Sequence, residues 1–137
     1  MPEEFKLFWD ERKNFDAILG KRPNRQDGMS RKFIENVLRL ILKIIFGVSI
    51  PDANAPFRLM SAEILKKYLP MIPENFNLPN VILTTYFKYF DEKIKFIGIT
   101  FRPRRAGKSF VNVKSIMKIG FKAVKDFYVI RRNLNHV

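Results

Sequence analysis

The chain has 137 residues, 47% of them hydrophobic and 28% charged, which is enough apolar material for one folded domain and too much for a disordered one. Lysine and arginine outnumber the acidic residues by 26 to 13; the net charge of +13 draws anions and leaves nucleic acid, anionic lipid and phosphorylated small molecules all open. The absence of cysteine excludes disulfides and thiolate metal sites, and a single histidine, His136, one residue from the end, excludes chemistry that needs a histidine base.

Pro2–Lys13 reads as a helix: Pro2 suits a first turn, Glu3 and Glu4 complement its positive end, and Phe5, Phe8 and Trp9 share a face. Its acidic opening is unlike a secretory signal. Phe15–Gly20 reads as a short buried strand closed by glycine, followed by a basic loop over Lys21–Gly28. Met29–Phe46 is a long helix, with Asp27 or Ser30 as candidate caps and Gly47 as its stop. Lys32, Asn36, Arg39 and Lys43 form one polar stripe on it, and most of the remainder is apolar.

Val48–Pro56 reads as irregular, and Ser61 caps a short helix that Pro70 ends. Pro79 opens a helix through Phe90. Ile94–Arg102 reads as a strand with two apolar faces, hence a buried one, and Pro103–Ser109 as a basic loop. The last helix, about Val113–Arg132, sets Lys114, Lys118, Lys122 and Lys125 within an arc of about 80°. Opposite lies a broad apolar face with Ile116, Met117, Phe121, Val124, Phe127 and Tyr128. That pattern fits two states, a helix lying in a membrane interface and a core-packing helix with a solvated lysine face. The most apolar stretch, Val37–Ile50, is interrupted by Lys43 and falls short of the ~20 residues that cross a bilayer.

Three segments concentrate groups that bind anions. Arg22, Arg25 and Arg31 flank a strand-to-helix connection, where ligands of open α/β sheets sit and a helix N-terminus adds backbone donors. A solvated basic loop is the simpler reading for any one of them. In Asp52–Met60, Asp52 and Asn54 can shape a turn, Pro56 stiffens it, Phe57 is expected to anchor in the core, and Arg58 is then held in a fixed direction. The structural alternative is an Asp52–Arg58 pair. Phe101–Ser109 has the make-up of a mobile clamp: Arg102, Arg104, Arg105 and Lys108 supply charge and Gly107 freedom. Its spacing is not that of a Walker loop or a dinucleotide fingerprint, and no clustered acidic or histidine ligands point to a metal bound by this chain alone.

In order and spacing these segments resemble the carboxy-terminal half of family 2 glycosyltransferases, in particular enzymes akin to dolichyl-phosphate mannosyltransferase and bacterial polyprenyl-phosphate sugar transferases. Pro2–Phe5 resembles the helix after the family's acidic metal motif, and Phe15–Arg22 its strand followed by Gly-Ser-Arg, with Lys21 in the serine place. Asp52–Met60 resembles its Asp-x-x-Ser-Gly-Phe-Arg-Leu run, with Ala55-Pro56 for Ser-Gly. Lys95–Ser109 resembles its late strand and Arg-x-x-Gly-x-Ser loop, although Phe110 stands where a lysine is usual. Val111–Lys114 resembles the opening of the helix that lies against the membrane in lipid-using members.

The resemblance implies an α/β fold, an incomplete glycosyltransferase-A-type (Rossmann-like) domain with few strands, several helices and an amphipathic C-terminal helix. Residues 1–112 would form the acceptor side of that domain and 113–137 the interfacial helix. It implies inverting transfer from a nucleotide sugar, with a divalent Mg or Mn ion in the complete enzyme, to an acceptor such as polyprenyl phosphate. Arg22, Arg31 and Arg58 become candidates for the phosphate site; Arg102, Arg104, Arg105, Lys108 and Ser109 become candidates for the loop closing over it. Lys114, Lys118, Phe121, Lys122 and Lys125 are the candidate membrane-facing residues, and the implied location is cytoplasmic, peripheral to the cytoplasmic membrane.

The donor and metal half is expected to precede Met1, so this chain is expected to be inactive alone. The Phe15–Gly20 strand is then expected to present an unpaired edge, and the chain to self-associate or take a partner. The competing reading is a non-enzymatic basic module for anionic membrane or nucleic acid. Nucleic acid is disfavoured because the basic residues are scattered over several loops.

Overall fold

Strand β1 (Ala17–Lys21) is the centre of a three-stranded mixed sheet, flanked by β2 (Arg58–Met60) and β3 (Ile94–Gly98) in the order β2-β1-β3. This computed structural model describes residues 2–22, 29–100 and 113–134, with side chains over 3–22, 32–100 and 120–134. β1 pairs antiparallel with β2, Ile18 opposite Leu59, and parallel with β3, Ala17 opposite Ile94 and Lys21 opposite Gly98. The sequence therefore misplaces the open edge. β1 has neighbours on both sides, and it is β2 and β3 whose outer sides carry no further strand among the described residues. β2 escaped the sequence reading altogether, because three residues are too few to display a period of two.

The described residues form five helices around this sheet: α1 (Pro2–Glu11), α2 (Met29–Phe46), α3 (Ala62–Tyr68), α4 (Pro79–Tyr89) and α5 (Val113–Leu134). Side chains alternate across a strand, so Ala17, Leu19, Met60, Ile94 and Phe96 share one face. Ala17, Met60, Ile94 and Phe96 pack into the main core with Leu42 and Phe46 of α2, Val81, Ile82, Tyr86 and Phe87 of α4, and Phe127 and Ile130 of α5.

α1 lies on the opposite face. It is held by Lys95 Nζ to Glu11 Oε1 at 2.9 Å, by the Thr100 N–H donating to Glu4, and by fully buried Phe8, which meets Phe57 edge-on at 4.6 Å. Phe57 thus anchors α1 and stays partly exposed, instead of entering the core as its sequence context predicts. α1 covers its face incompletely, leaving Phe5 and Trp9 about half exposed.

Helix ends follow local chemistry. Gly47, at φ 71°, closes α2 by donating its N–H to the Lys43 carbonyl, a left-handed cap that suits glycine. α2 already begins at Met29, so Ser30 lies within the helix and is not its cap; Asp27 lies outside the described residues. Ser61 caps α3, its Oγ accepting from the Ile64 N–H at 3.2 Å, and a 3-10 turn over Leu69–Met71 follows. α4 runs through the middle of the molecule with Val81–Phe87 buried without a break, and Thr84 and Thr85 satisfy their hydroxyls on carbonyls four residues back.

β3 departs from expectation. Its residues Ile94–Ile97 are half-buried and Gly98 is exposed, as befits an edge strand. α5 packs into the core, as one of its two sequence readings expects. Phe127 is buried between Phe46 and Phe76, with ring centroids at 6.1 and 5.6 Å, while Phe121 and Tyr128 face outward. Among the described residues no helix is long and apolar enough to cross a membrane.

Candidate functional site

The sheet topology brings the ends of β1 and β3 and the start of β2 to one end of the sheet. β1 runs toward Lys21–Arg22; β2, being antiparallel, starts at that end with Arg58; β3, being parallel, finishes there, with the Ile99 N–H donating to the Lys21 carbonyl at 2.9 Å. The turn over Asp52–Ala55 enters β2 at this same end.

Two guanidinium groups fix that turn from either side. Arg22 makes a bidentate pair with Asp52, Nε to Oδ2 at 2.9 Å and an Nη to Oδ1 at 3.0 Å, and donates further to the Asn54 carbonyl at 3.3 Å. Both side chains are almost fully enclosed, 6% and 3% exposed. Asp52 therefore pairs with a residue thirty positions earlier, not with Arg58 as the structural alternative supposed. Arg58 instead donates to the Ala55 carbonyl at 2.8 Å, the Ala53 carbonyl at 3.0 Å and Thr84 Oγ1 at 2.9 Å. Burial lowers the Arg58 guanidinium to about 10, against the opposing pull of the Asp52 charge, so it stays cationic at neutral pH.

Alanine at 53 and 55 is part of the design. Both are completely buried beneath Arg58, leaving their carbonyls to the guanidinium. Thr84 was not singled out from the sequence. Its signal was there: a Thr84-Thr85 pair inside the otherwise apolar Val81–Phe87 run calls for a polar partner. With two guanidinium groups and one carboxylate, this cluster carries a formal charge of +1.

The other predicted residues fall differently. Arg31 belongs to the first turn of α2, with its side chain outside the described residues; Arg25, Arg102, Arg104, Arg105, Lys108 and Ser109 also lie outside them. Lys114 and Lys118 are on α5 without described side chains, whereas Phe121, Lys122 and Lys125 are exposed on it. Among the described residues no group of three or more His, Asp or Glu side chains could hold a metal ion, and Asp52 is committed to Arg22. These residues do not fit a divalent metal.

A cleft of about 260 Å³, lined by Trp9, Arg12, Phe15, Asp16, Leu59 and Ser61 among others, opens at the opposite end of β1, away from Arg22 and Arg58. Arg12 lies 4.2 Å above the Trp9 ring there and donates to the Trp9 carbonyl. No family model, curated protein or solved structure matches the chain.

Proposed function

We propose that the chain is the acceptor side of an inverting sugar transferase of the family 2 type, built on an incomplete glycosyltransferase-A-like sheet and working at a membrane surface. One observation carries the reading: the mixed sheet brings the ends of β1 and β3 and the Asp52–Ala55 turn to one edge, where Arg22 and Arg58 are locked in place. Ligands of open α/β sheets sit at that edge. An acceptor such as polyprenyl phosphate is already a charged nucleophile and needs no strong base. What it needs is orientation and offset of charge, which fixed guanidinium groups supply.

In this reading Arg22, Asp52 and Arg58 shape the floor of the acceptor site. Arg25, Arg31, Arg102, Arg104, Arg105, Lys108 and Ser109 contact the phosphate. No residue described on this chain is assigned to the nucleotide sugar or to a Mg or Mn ion, and no step on this chain runs through them.

The test is a titration of the full chain with farnesyl phosphate, a short soluble polyprenyl phosphate, with farnesol and duplex DNA as comparisons. Saturable binding of the phosphate but not the alcohol, weakened about tenfold or more by Arg104→Ala with Arg105→Ala, is the expected result. Binding of duplex DNA with no response to farnesyl phosphate overturns the proposal in favour of a general polyanion-binding module.

A further inference from the structure

Helix α2 carries more apolar surface than the core uses. At about 100° per residue, Leu38, Leu42, Ile45 and Phe46 point toward the core, which they help to form. Phe33, Val37, Leu40 and Ile44 repeat at intervals of four, three and four residues, and fall within an arc of about 60° on the far side. They are 69, 37, 56 and 73% exposed. Beside this stripe runs the exposed polar row Lys32, Asn36, Arg39 and Lys43. The one acidic residue of the helix, Glu35, lies on the opposite side from the stripe.

α5, packed on α2 through Phe46 and Phe127, adds Phe121 and Tyr128 at 75 and 66% exposed, interspersed with exposed Lys122, Lys125 and Arg132. A stripe of large exposed apolar side chains along α2 bordered by cations, on a helix that cannot cross a bilayer, is the arrangement that binds flat on an anionic lipid surface. A second copy of the chain is a poor occupant, because it would bring cationic rows and a net +13 against the same charge.

We propose that α2 docks on an anionic bilayer, seating Phe33, Val37, Leu40 and Ile44 at the headgroup–acyl boundary. Lys32, Arg39 and Lys43 lie against the lipid phosphates. This deepens the membrane part of the proposed function and rests on it. It moves the principal lipid contact from the lysines of α5 to the apolar stripe of α2.

The test is flotation of the full chain with phosphatidylcholine–phosphatidylglycerol vesicles, against pure phosphatidylcholine, with no polyprenyl phosphate present. The wild type floats with the anionic vesicles. Phe33→Ser with Ile44→Ser lowers the partition about tenfold or more while the far-UV circular dichroism is unchanged, since both side chains are exposed. Lys32→Gln with Lys43→Gln weakens it too, as does added salt. The proposal is overturned if the wild type stays in solution or if the serine variant floats like the wild type. It is also overturned if that variant only converts a dimer to a monomer in sedimentation, which would give the stripe to a second copy. Farnesyl phosphate binding is read separately. Its failure with flotation intact removes the acceptor site alone, and the reverse result removes the lipid-docking face alone.

Discussion

Replacing Asp52 by alanine tests the centre of the arginine cluster. The substitution leaves the Arg22 guanidinium enclosed, 6% exposed, without its two charged hydrogen bonds at 2.9 and 3.0 Å. It also takes from Arg58 the one charge that favours its cationic form. Removing one partner of a buried pair costs about 3–5 kcal/mol, because an uncompensated charge stays behind. Arg22 keeps its bond to the Asn54 carbonyl, which places the expected loss near the lower end, about 3 kcal/mol. Unfolding a chain of 137 residues carries an entropy of roughly 0.29 kcal/mol/K, so Tm should fall by roughly 10 °C. Urea and thermal unfolding followed by circular dichroism measure this directly. Arg22→Met combined with Asp52→Leu removes both charges together and should recover most of the loss. A loss below about 1 kcal/mol for Asp52→Ala, or a double variant no better than the single one, would refute the claim that this pair is sealed and mutually dependent.

Arg58→Lys keeps the charge but cannot reach two carbonyls and Thr84 at once; a loss of about 2 kcal/mol in urea unfolding is expected, and wild-type stability would contradict the geometry. Lys67 first, and Tyr68 second, hold the Glu92 carboxyl below the ordinary carboxylate range. A folded pKa below the unfolded one stabilises the protein above the unfolded value, and that contribution disappears as pH falls through the folded value. Glu92→Gln should therefore flatten the acid limb of a stability–pH curve, and an unchanged slope would count against the linkage. Gly20→Ala sets a Cβ 2.9 Å from Cδ1 and 3.0 Å from Cγ2 of Ile99; about 1 kcal/mol should be lost, and less in an Ile99→Ala background. Equal losses in the two backgrounds would place the strain elsewhere.

What the sequence revealed depended on how local each signal was. α2 was legible to its last residue because eighteen residues of period 3.6 end at a glycine that only has to turn left-handed. Ser61 and Pro79 marked α3 and α4 for equally local reasons. Strand partners are not local. Nothing near Phe15–Gly20 tells that β1 takes a neighbour on each side, and Arg58–Met60 is recognisable as a strand only once β1 lies beside it. The same holds within the site. The sequence offered Arg58, six positions on, as a partner for Asp52, and nothing local pointed to Arg22 thirty positions earlier. The antiparallel register sends Arg58 toward α4 and Arg22 toward the carboxylate. α5 was ambiguous because one wide apolar face serves two surroundings, with Phe127 turned inward and Tyr128 outward.

The parallel partnership of Ala17 with Ile94 closes a loop of 77 positions. Synthesis at 5–20 residues per second puts roughly 4–15 s between the appearance of β1 and that of β3. During that interval Ala17, Ile18 and Leu19, among the most enclosed side chains of the finished molecule, can engage only β2 and the first helices. The antiparallel β1–β2 ribbon is thus the species a growing chain must hold in register. Late arrival of β3 leaves the nascent polypeptide, more than the completed one, with apolar strand surface uncovered.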